Sequence, residues 1–372
     1  MLSVSSSRAD VGVLAPVWAA LVARDDIDLH LFLTGMHRAA DAPDVEGIPE
    51  GATVHEGGAD LGGETGSRAA NAMASITRAA GDVYACAVPD MVLVTGDRLD
   101  MLPAATATLP FNIPLAHLHG GEVTEGAVDD RTRHAITKLA HLHCVSCTSA
   151  RTRLLALGEE DWRIAVTGAP GLDTLKAAPE MSAEDLAAVL KLPDTAGLRL
   201  VTVHPETNGD DPLAPLKAVM GALALRPALT LFTAPNSDPG GAEMRRRIEA
   251  FVATNDWAHF RDTLGSRLYP NVLRHATLMV GNSSSGVIEA GLFGLPVINV
   301  GDRQKGRERG GNVLDVPNNV HAVVAALDRL SAEVHRFPAG TPYGDGSAGP
   351  RVADAVAAYL QFPERKRIKS LS

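Results

Sequence analysis

Cysteine, aromatic residues and long apolar runs are all scarce in this chain of 372 residues. Its three cysteines, Cys86, Cys144 and Cys147, are too few for a disulfide-stapled scaffold. Cys144-Val145-Ser146-Cys147 has CxxC spacing, but it lies in a strand-like run without a second pair, which argues against a metal or redox centre. Aromatics make up only 4% of the residues, so the cores must be built from Ala, Val, Leu and Ile. No run of about 18 apolar residues occurs, which excludes a helical membrane span. The first residues show no basic start followed by an apolar segment, so no secretory signal is read and the cytoplasm is the predicted compartment. Excess positive charge is missing as well. Asp and Glu total 44 against 34 Lys and Arg, a net charge of −10. That argues against a nucleic-acid surface and leaves room only for a local basic pocket.

What is present is hydrophobic content of 45%, in a length that as a soft prior means two domains. Strand-like and helix-like runs alternate almost throughout, the pattern of a parallel sheet covered on both faces. In the first half, strand-like runs cover residues 2–5, 28–33, 91–95, 113–118, 141–147 and 163–167, with one short piece at 52–55. Residues 36–66 otherwise read as loops rich in Gly, Asp, Glu and Pro. Gly168-Ala169-Pro170-Gly171 breaks the chain, and the alternation resumes with strands at 198–203 and 229–233. The predicted fold class is α/β: two Rossmann-like, doubly wound domains facing across a cleft. The first covers residues 1–170, completed by a C-terminal helix within 351–372, and the second covers 171–350.

Ligands of open parallel sheets bind outside the carboxyl ends of the strands. The polar punctuation falls there: Arg8, Asp97, His119 and Glu122 in the first half, His204, Asn236 and the serines at 283–285 in the second. The most informative stretch runs from Gly281 to Arg309. It reads strand, polar turn, helix, strand, one parallel βαβ unit. Asn282 to Ser285 suit the start of a helix carrying Val287, Ile288, Ala290, Leu292 and Phe293. Unpaired N–H groups and a partial positive charge at such a start suit a phosphate. Arg303, Lys305, Arg307 and Arg309 follow the next strand and can add charge-assisted hydrogen bonds. Plain capping and a solvated loop are the competing reading.

The other candidates divide in the same way. Asp97 in Gly96-Asp97-Arg98 is either an acid or base or a helix cap. Glu122 follows two glycines that let backbone approach a ligand, while Asp129 and Asp130 equally suit a helix start. Convergent carboxylates can have their pKa values pushed apart, giving one base and one acid. His117, His119, His134, His141 and His143 crowd one region, but no zinc-type spacing appears. His204 leaves a strand as Val203-His204-Pro205-Glu206 and can contact a diphosphate.

On these residues the chain resembles the hydrolysing UDP-N-acetylglucosamine 2-epimerases of sialic and legionaminic acid biosynthesis. The resemblance spans nearly the whole chain. It is carried by Ser7-Arg8-Ala9-Asp10, Thr34-Gly35-Met36-His37, Gly96-Asp97-Arg98, His117-Leu118-His119-Gly120-Gly121-Glu122, Arg133 to Leu139, His204-Pro205-Glu206-Thr207 and Gly281 to Gly306. It implies a GT-B-like fold and no metal or other cofactor. It implies UDP on the second domain, with Asn282, Ser283 and Ser284 at the diphosphate and Glu289 on the ribose. Arg8, His204 and Arg303 would contact phosphates, with Asn236 nearby. Asp97, Glu122 and Asp129 would form the acid/base set. His119 stands where some relatives carry a catalytic glutamate, and either it or Glu122 would take that role. The implied product is free N-acetylmannosamine plus UDP. Alternatives are the same reaction on UDP-2,4-diacetamido-2,4,6-trideoxy-glucose, a non-hydrolysing epimerase, a glycosyltransferase of the same fold and a nucleotide-sugar-binding regulator. Relatives of this type commonly dimerise through first-domain helices, which implies a homodimer here, with a tetramer as the alternative.

Overall fold

Short runs buried on both faces form the central strands of a covered sheet. Leu2-Ser3-Val4-Ser5, Val92 to Thr95, Leu115 to Leu118 and Leu278 to Gly281 are four such runs, each buried from end to end. In the computed structural model they lie in two parallel sheets. The structure describes all residues except 40–44, 60–65, 124–127, 207–210, 237, 334–335 and 363–372, and the side chains of 128–129 and 331–333. The described chain divides into two units. The first is Met1–Thr174 together with the chain from Tyr343 onward, and the second is Leu175–Pro342.

The first unit has seven strands: β1 (Leu2–Ser5), β2 (His30–Leu33), β3 (Thr53–Glu56), β4 (Val92–Thr95), β5 (Leu115–Leu118), β6 (Leu142–Val145) and β7 (Ile164–Val166). Their order is β3-β2-β1-β4-β5-β6-β7, all parallel. The crossovers are α1 (Arg8–Val22), α2 (Gly66–Ala87), α3 (Met101–Thr106), α4 (Val128–Leu139) and α5 (Thr148–Ala156), and α6 (Gly171–Ala177) follows the last strand. One face packs Leu14, Val17, Trp18 and Leu21 of α1 with residues 352–359, and the other packs Tyr84, Met101, Ala104 and Ile136. Trp18 is wholly buried, and its ring N–H donates to Ser3 Oγ at 2.8 Å.

The second unit begins with α7 (Ala183–Leu190). It continues through β8 (Arg199–Thr202), α8 (Ala214–Leu225), β9 (Thr230–Thr233), α9 (Gly241–Ala253), β10 (Ala258–Arg261), α10 (Gly265–His275), β11 (Leu278–Gly281) and α11 (Ser284–Ile288). Strands β12 (Val297–Val300) and β13 (Val313–Val316) and helix α12 (Val320–Glu333) complete it. The six parallel strands are ordered β10-β9-β8-β11-β12-β13. The last helix, α13 (Ala348–Leu360), belongs to the first unit. Both carboxylate oxygens of Asp173 cap it, accepting from the N–H groups of Ala348 at 2.9 Å and Gly349 at 2.7 Å. Those bonds carry the unit boundaries to 174 and 343, where the sequence alone suggested 170 and 351.

Several elements depart from the sequence reading. Strands β10 and β13 and helices α6, α7 and α10 were not anticipated. The stretch between residues 36 and 66 carries a 3-10 turn at Gly35–Arg38 where loop was expected, while strand β3 falls on the strand-like piece at 52–55. The helix after Ser283 is not continuous: α11 ends at Ile288, and Ala290–Phe293 is a 3-10 turn. Long-range bonds cause the break. The Thr341 hydroxyl donates to the Ile288 carbonyl at 3.0 Å, and the Gly340 N–H donates to the Gly291 carbonyl at 2.7 Å. Both carbonyls take long-range partners where the helix gives way, and Gly291 also accepts the 3-10 bond from the Gly294 N–H at 3.0 Å.

The end of β11 sets the tightest backbone constraint. Gly281 has φ +143°, and a Cβ there would sit 1.9 Å from the Thr202 carbonyl oxygen of β8. Only glycine allows that approach. Gly281→Ala should therefore lower the unfolding free energy by about 3 kcal/mol in denaturant titration. Gly81→Ala, in open space within α2, should be neutral or stabilising by up to about 1 kcal/mol. Equal effects at the two positions would contradict the packing of β8 against β11.

Candidate functional site

Strands β1, β4 and β5 are neighbours in one parallel sheet, so their carboxyl ends deliver Arg8, Asp97 and His119 to the same edge of the first unit. Arg8 opens α1 behind the capping Ser7 and is exposed. Asp97 follows Gly96, which turns the chain at φ +71°. Its carboxylate is gripped by the guanidinium of Arg133, a residue of α4 that is only 4% exposed. The same guanidinium donates to Asp130 at 3.1 Å and to the Glu122 carbonyl at 2.8 Å. A buried guanidinium is costly unless acceptors surround it. Here they come from β4, from the loop after β5 and from α4 itself, so the three are fixed together.

His119 adopts a left-handed backbone at φ +61°, uncommon for a residue with a Cβ. Gly121 follows at φ +75°, where a Cβ would lie 2.5 Å from the Ala150 carbonyl oxygen. This sharp turn brings Glu122 back against the imidazole. Nδ1 of His119 is 2.7 Å from Glu122 Oε1, and the Ser146 hydroxyl donates to the same oxygen at 2.7 Å. His117 is wholly buried between Gly96 O at 2.8 Å and Thr137 Oγ1 at 3.3 Å. A carbonyl only accepts, so His117 carries its proton on Nε2. Burial first, then neighbouring His143 and Arg133, pushes its pKa down to about 3 despite the bond to Gly96. It is a neutral strut. The remaining histidines of this region are also engaged: His143 with Glu159 at 3.3 Å, His134 with Asp130 at 3.6 Å, and His141 with the Leu115 N–H at 3.3 Å. Among the described residues no group of three or more His, Cys, Asp or Glu is arranged to hold a metal ion.

In the second unit, Asn282 at the end of β11 is fully buried and forms a two-way bridge to β8. Its Oδ1 accepts from the His204 N–H at 2.7 Å, and its Nδ2 donates to the His204 carbonyl at 2.9 Å. Gln304, after β12, donates to the Asn282 carbonyl at 2.8 Å. His204 Nδ1 accepts from the Asn236 N–H at 3.0 Å, which leaves Nε2 as the protonated nitrogen. Burial, then Arg303, lowers the His204 pKa to about 4, with Asp238 opposing. Ser283 caps α11, and Ser284 is half-buried with its hydroxyl making no hydrogen bond among the described residues. Tyr269 donates to Ser285 Oγ at 2.5 Å and stands beside Glu289, whose pKa is raised by burial.

Arg303 is partly buried and pairs loosely with Asp238 at 3.5 Å. Its backbone is held by Glu206, which accepts from the N–H groups of Asp302 at 2.7 Å and Arg303 at 3.0 Å and from Asn318 Nδ2 at 2.7 Å. Gly301, at φ +82°, makes room for that carboxylate, since a Cβ would meet it at 2.3 Å. Lys305 and Arg307 line a cavity of about 530 Å3. Arg309 is not free for an anion. It is committed to Asp315 and to the carbonyls of Gln304 and Arg307.

The structure thus gathers Arg8, Asp97, His119 and Glu122 at one strand edge, and His204, Asn236, Asn282, Ser283, Ser284 and Arg303 at the other unit's strand ends. Glu289 closes α11 a turn away. The Asp129 side chain lies outside the described residues. Sequence reasoning missed Arg133, Ser146, Glu206, Tyr269 and Gln304 as site residues. Arg133, Glu206 and Gln304 lay inside motifs already singled out, which was the available signal. Cys144 is buried in β6 and Cys147 precedes α5, and both are free thiols.

The family model described as UDP-N-acetylglucosamine 2-epimerase matches residues 19–357. The chain is 34% identical to the UDP-N,N'-diacetylbacillosamine 2-epimerase (hydrolyzing) of Legionella pneumophila, over 94% of this chain and 93% of that one. It is 30% identical to the UDP-N-acetylglucosamine 2-epimerase of Neisseria meningitidis, over 93% and 91%. Its fold matches the crystal structure of UDP-GlcNAc 2-epimerase from Neisseria meningitidis bound to UDP-GlcNAc, with TM-score 0.76, 18% identity and coverage of 96% and 99%. No helix among the described residues is long and apolar enough to cross a membrane.

Two histidines whose pKa values burial lowers strongly, His117 and His204, contribute to a pH dependence of stability, with His143 shifted in the same direction. Their folded pKa values, about 3 for His117 and about 4 for His204, lie below the ordinary 6.5. The unfolded chain therefore binds protons that the folded one refuses. Stability is fully present above 6.5 and falls as pH drops from there toward 4, by up to about 1.4 kcal/mol per pH unit for each histidine. Denaturant titrations between pH 7.5 and 4.5 should show this slope, and it should be shallower in His117→Gln and His204→Gln. An unchanged slope in both variants would show that other groups carry it.

Proposed function

The chain belongs to the UDP-N-acetylglucosamine 2-epimerase family, and from that premise we propose that it is the hydrolysing kind. It would act on a UDP-2-acetamido sugar and release the free 2-epimer together with UDP. The observation that carries this reading is the convergence of a carboxylate, Asp97, and an imidazole–carboxylate pair, His119 and Glu122, on adjacent strand ends. Epimerisation at C2 needs a proton removed and a proton returned, and two titratable groups at one edge supply both roles.

The chemistry follows from elementary constraints. The C2 hydrogen has no adjacent carbonyl, so its loss must be coupled to departure of the diphosphate from C1. The C–H electrons form the C1=C2 bond of a glycal, and the C1–O pair leaves with UDP. Water then adds across the double bond, oxygen to C1 and a proton to the opposite face of C2. In this reading Asp97, Glu122, Asp129 and His119 form the acid/base set. The leaving group falls to Asn282, Ser283, Ser284, Asn236, His204, Arg303 and Arg8, with Glu289 on the ribose. Support for the diphosphate assignment comes from groups that the protein's own contacts hold in place. His204 offers an Nε2–H, and Arg303 is held by its backbone rather than by a strong ion pair. Fixed donors of this sort are often the largest catalytic contribution.

For the substrate, the greater identity to the diacetylbacillosamine enzyme, 34% against 30%, favours UDP-2,4-diacetamido-2,4,6-trideoxy-glucose. UDP-N-acetylglucosamine is the second reading. Incubation of the pure protein with each sugar in heavy water, followed by NMR, tests both. The expected product is a free 2-epimer carrying deuterium at C2. A sugar still joined to UDP would exclude hydrolysis.

Two variants test the residue roles. Asp97→Asn should lower kcat by roughly a hundred- to ten-thousand-fold, while UDP affinity measured by calorimetry stays within a few-fold. Arg303→Ala should weaken UDP binding about tenfold or more, the loss expected for a charge-assisted contact. Unchanged UDP affinity in Arg303→Ala would remove it from the phosphate site.

A further inference from the structure

We propose that the proton taken from C2 is carried by Nε2 of His119, with Glu122 and Ser146 as positioning residues that fix the tautomer and aim of the ring. This rests on the reading above and assigns within it a role that the sequence left open between His119 and Glu122.

The geometry decides between the two. Glu122 Oε1 accepts from the Ser146 hydroxyl at 2.7 Å and sits 2.7 Å from His119 Nδ1. An oxygen that already receives one O–H acts as an acceptor toward the ring, so Nδ1 carries the imidazole proton. Nε2 then holds the free lone pair, and the ring makes no other hydrogen bond among the described residues. A carboxylate behind one ring nitrogen and a lone pair on the other is how a histidine base is oriented in acyl-transfer enzymes. The imidazole is also held from the backbone. The His119 N–H donates to the Cys144 carbonyl at 3.1 Å, continuing the β5–β6 pairing, and φ is +61°. Ser146 follows β6, the strand beside β5, so the three side chains come from two adjacent strand ends. Both partners are largely shielded, with side-chain exposures of 19% for His119 and 13% for Glu122. In that setting a charge-assisted bond is worth more than in water.

The step balances. The C2–H bond breaks and its proton goes to Nε2, giving an imidazolium whose Nδ1–H still faces the Glu122 carboxylate. The electron pair closes C1=C2 as the C1–O pair leaves with UDP. Asp97, on the neighbouring strand and gripped by Arg133, relays to the opposite face of C2 the proton released by the water whose oxygen adds to C1, and the imidazolium then gives up its own proton to solvent.

Chemical rescue tests this in the full-length protein, with UDP release as readout on whichever UDP-sugar the unmutated chain turns over. His119→Gly should lose roughly a hundred- to ten-thousand-fold in kcat with KM within about threefold. Added imidazole should restore at least about tenfold of it, saturably, and substituted imidazoles should follow their basicity. His119→Gln should be equally slow without rescue. Glu122→Gln should fall in kcat and Glu122→Asp should recover part of the loss. Ser146→Ala should cost a few-fold in kcat alone, with Ser146→Thr close to the unmutated chain. The proposal is overturned if His119→Gly, folded by circular dichroism and still binding UDP, keeps kcat within a few-fold or shows no rescue. It is also overturned if Glu122→Asp recovers nothing while His119 variants turn over. If the unmutated chain releases UDP from neither sugar, the underlying reaction reading fails and this assignment falls with it.

Discussion

The guanidinium of Arg133 is the contact on which the arrangement of the first unit's candidate site depends. It is nearly inaccessible to water, and it binds the Asp97 carboxylate, the Asp130 carboxylate and the Glu122 carbonyl at once. Remove it and three segments lose their common anchor: the exit of β4, the loop after β5 and the first turns of α4. A lysine could not substitute, because only a planar fork presents several fixed donors toward acceptors in different directions. In the second unit a neutral side chain does the equivalent work. The Asn282 amide returns both bonds of the His204 peptide unit and so joins the exits of β8 and β11. Its neutrality suits the diphosphate site proposed above, where a buried cation would bring its own counter-charge.

That difference extends to the rest of the charge distribution. The chain is acidic overall, yet its proposed substrate carries a diphosphate. The conflict is resolved locally. Asp97 is matched by Arg133, Glu122 by Ser146 and the ring N–H of His119, and Glu206 by two backbone N–H groups and Asn318. Acidic groups near the strand ends are thus satisfied from within. Arg309 is likewise spent, on Asp315. Arg303, by contrast, makes among the described residues a single long ion-pair contact, to Asp238 at 3.5 Å. Electrostatic selectivity here comes from which charges are already committed, not from the net charge.

Much of this was legible in the sequence. Alternating strand-like and helix-like runs gave two doubly wound sheets, and the rule that ligands sit at the carboxyl ends of parallel strands picked out Arg8, Asp97, His119, His204 and Ser283. What escaped was non-local. Arg133 finds Asp97 across 36 positions, and Asn282 finds His204 across 78. Neither distance leaves a periodic trace. The interruption of α11 was hidden for the same reason, since Thr341 lies 53 residues from the carbonyl it takes. Strand β10, Ala258-His259-Phe260-Arg261, alternates weakly and sits at a sheet edge, where half-exposed residues blur the pattern. Asp129 shows the opposite case: a motif residue readable in sequence whose side chain lies outside what the structure describes.

The resemblance left one ambiguity that the geometry addresses, namely how a histidine can stand where some relatives carry a glutamate. A carboxylate needs no tautomer control, because either oxygen can take the proton. An imidazole does, because only one of its nitrogens is basic at a time. A histidine at such a position must therefore bring a fixed acceptor for its other nitrogen. Glu122 meets that need at 2.7 Å, and the left-handed turn at His119 and Gly121 is what lets two residues three apart in sequence face each other off a strand end. The strain of that turn has a function to set against it: without it the ring and its carboxylate would point to opposite sides of the loop, and the tautomer would be free to switch.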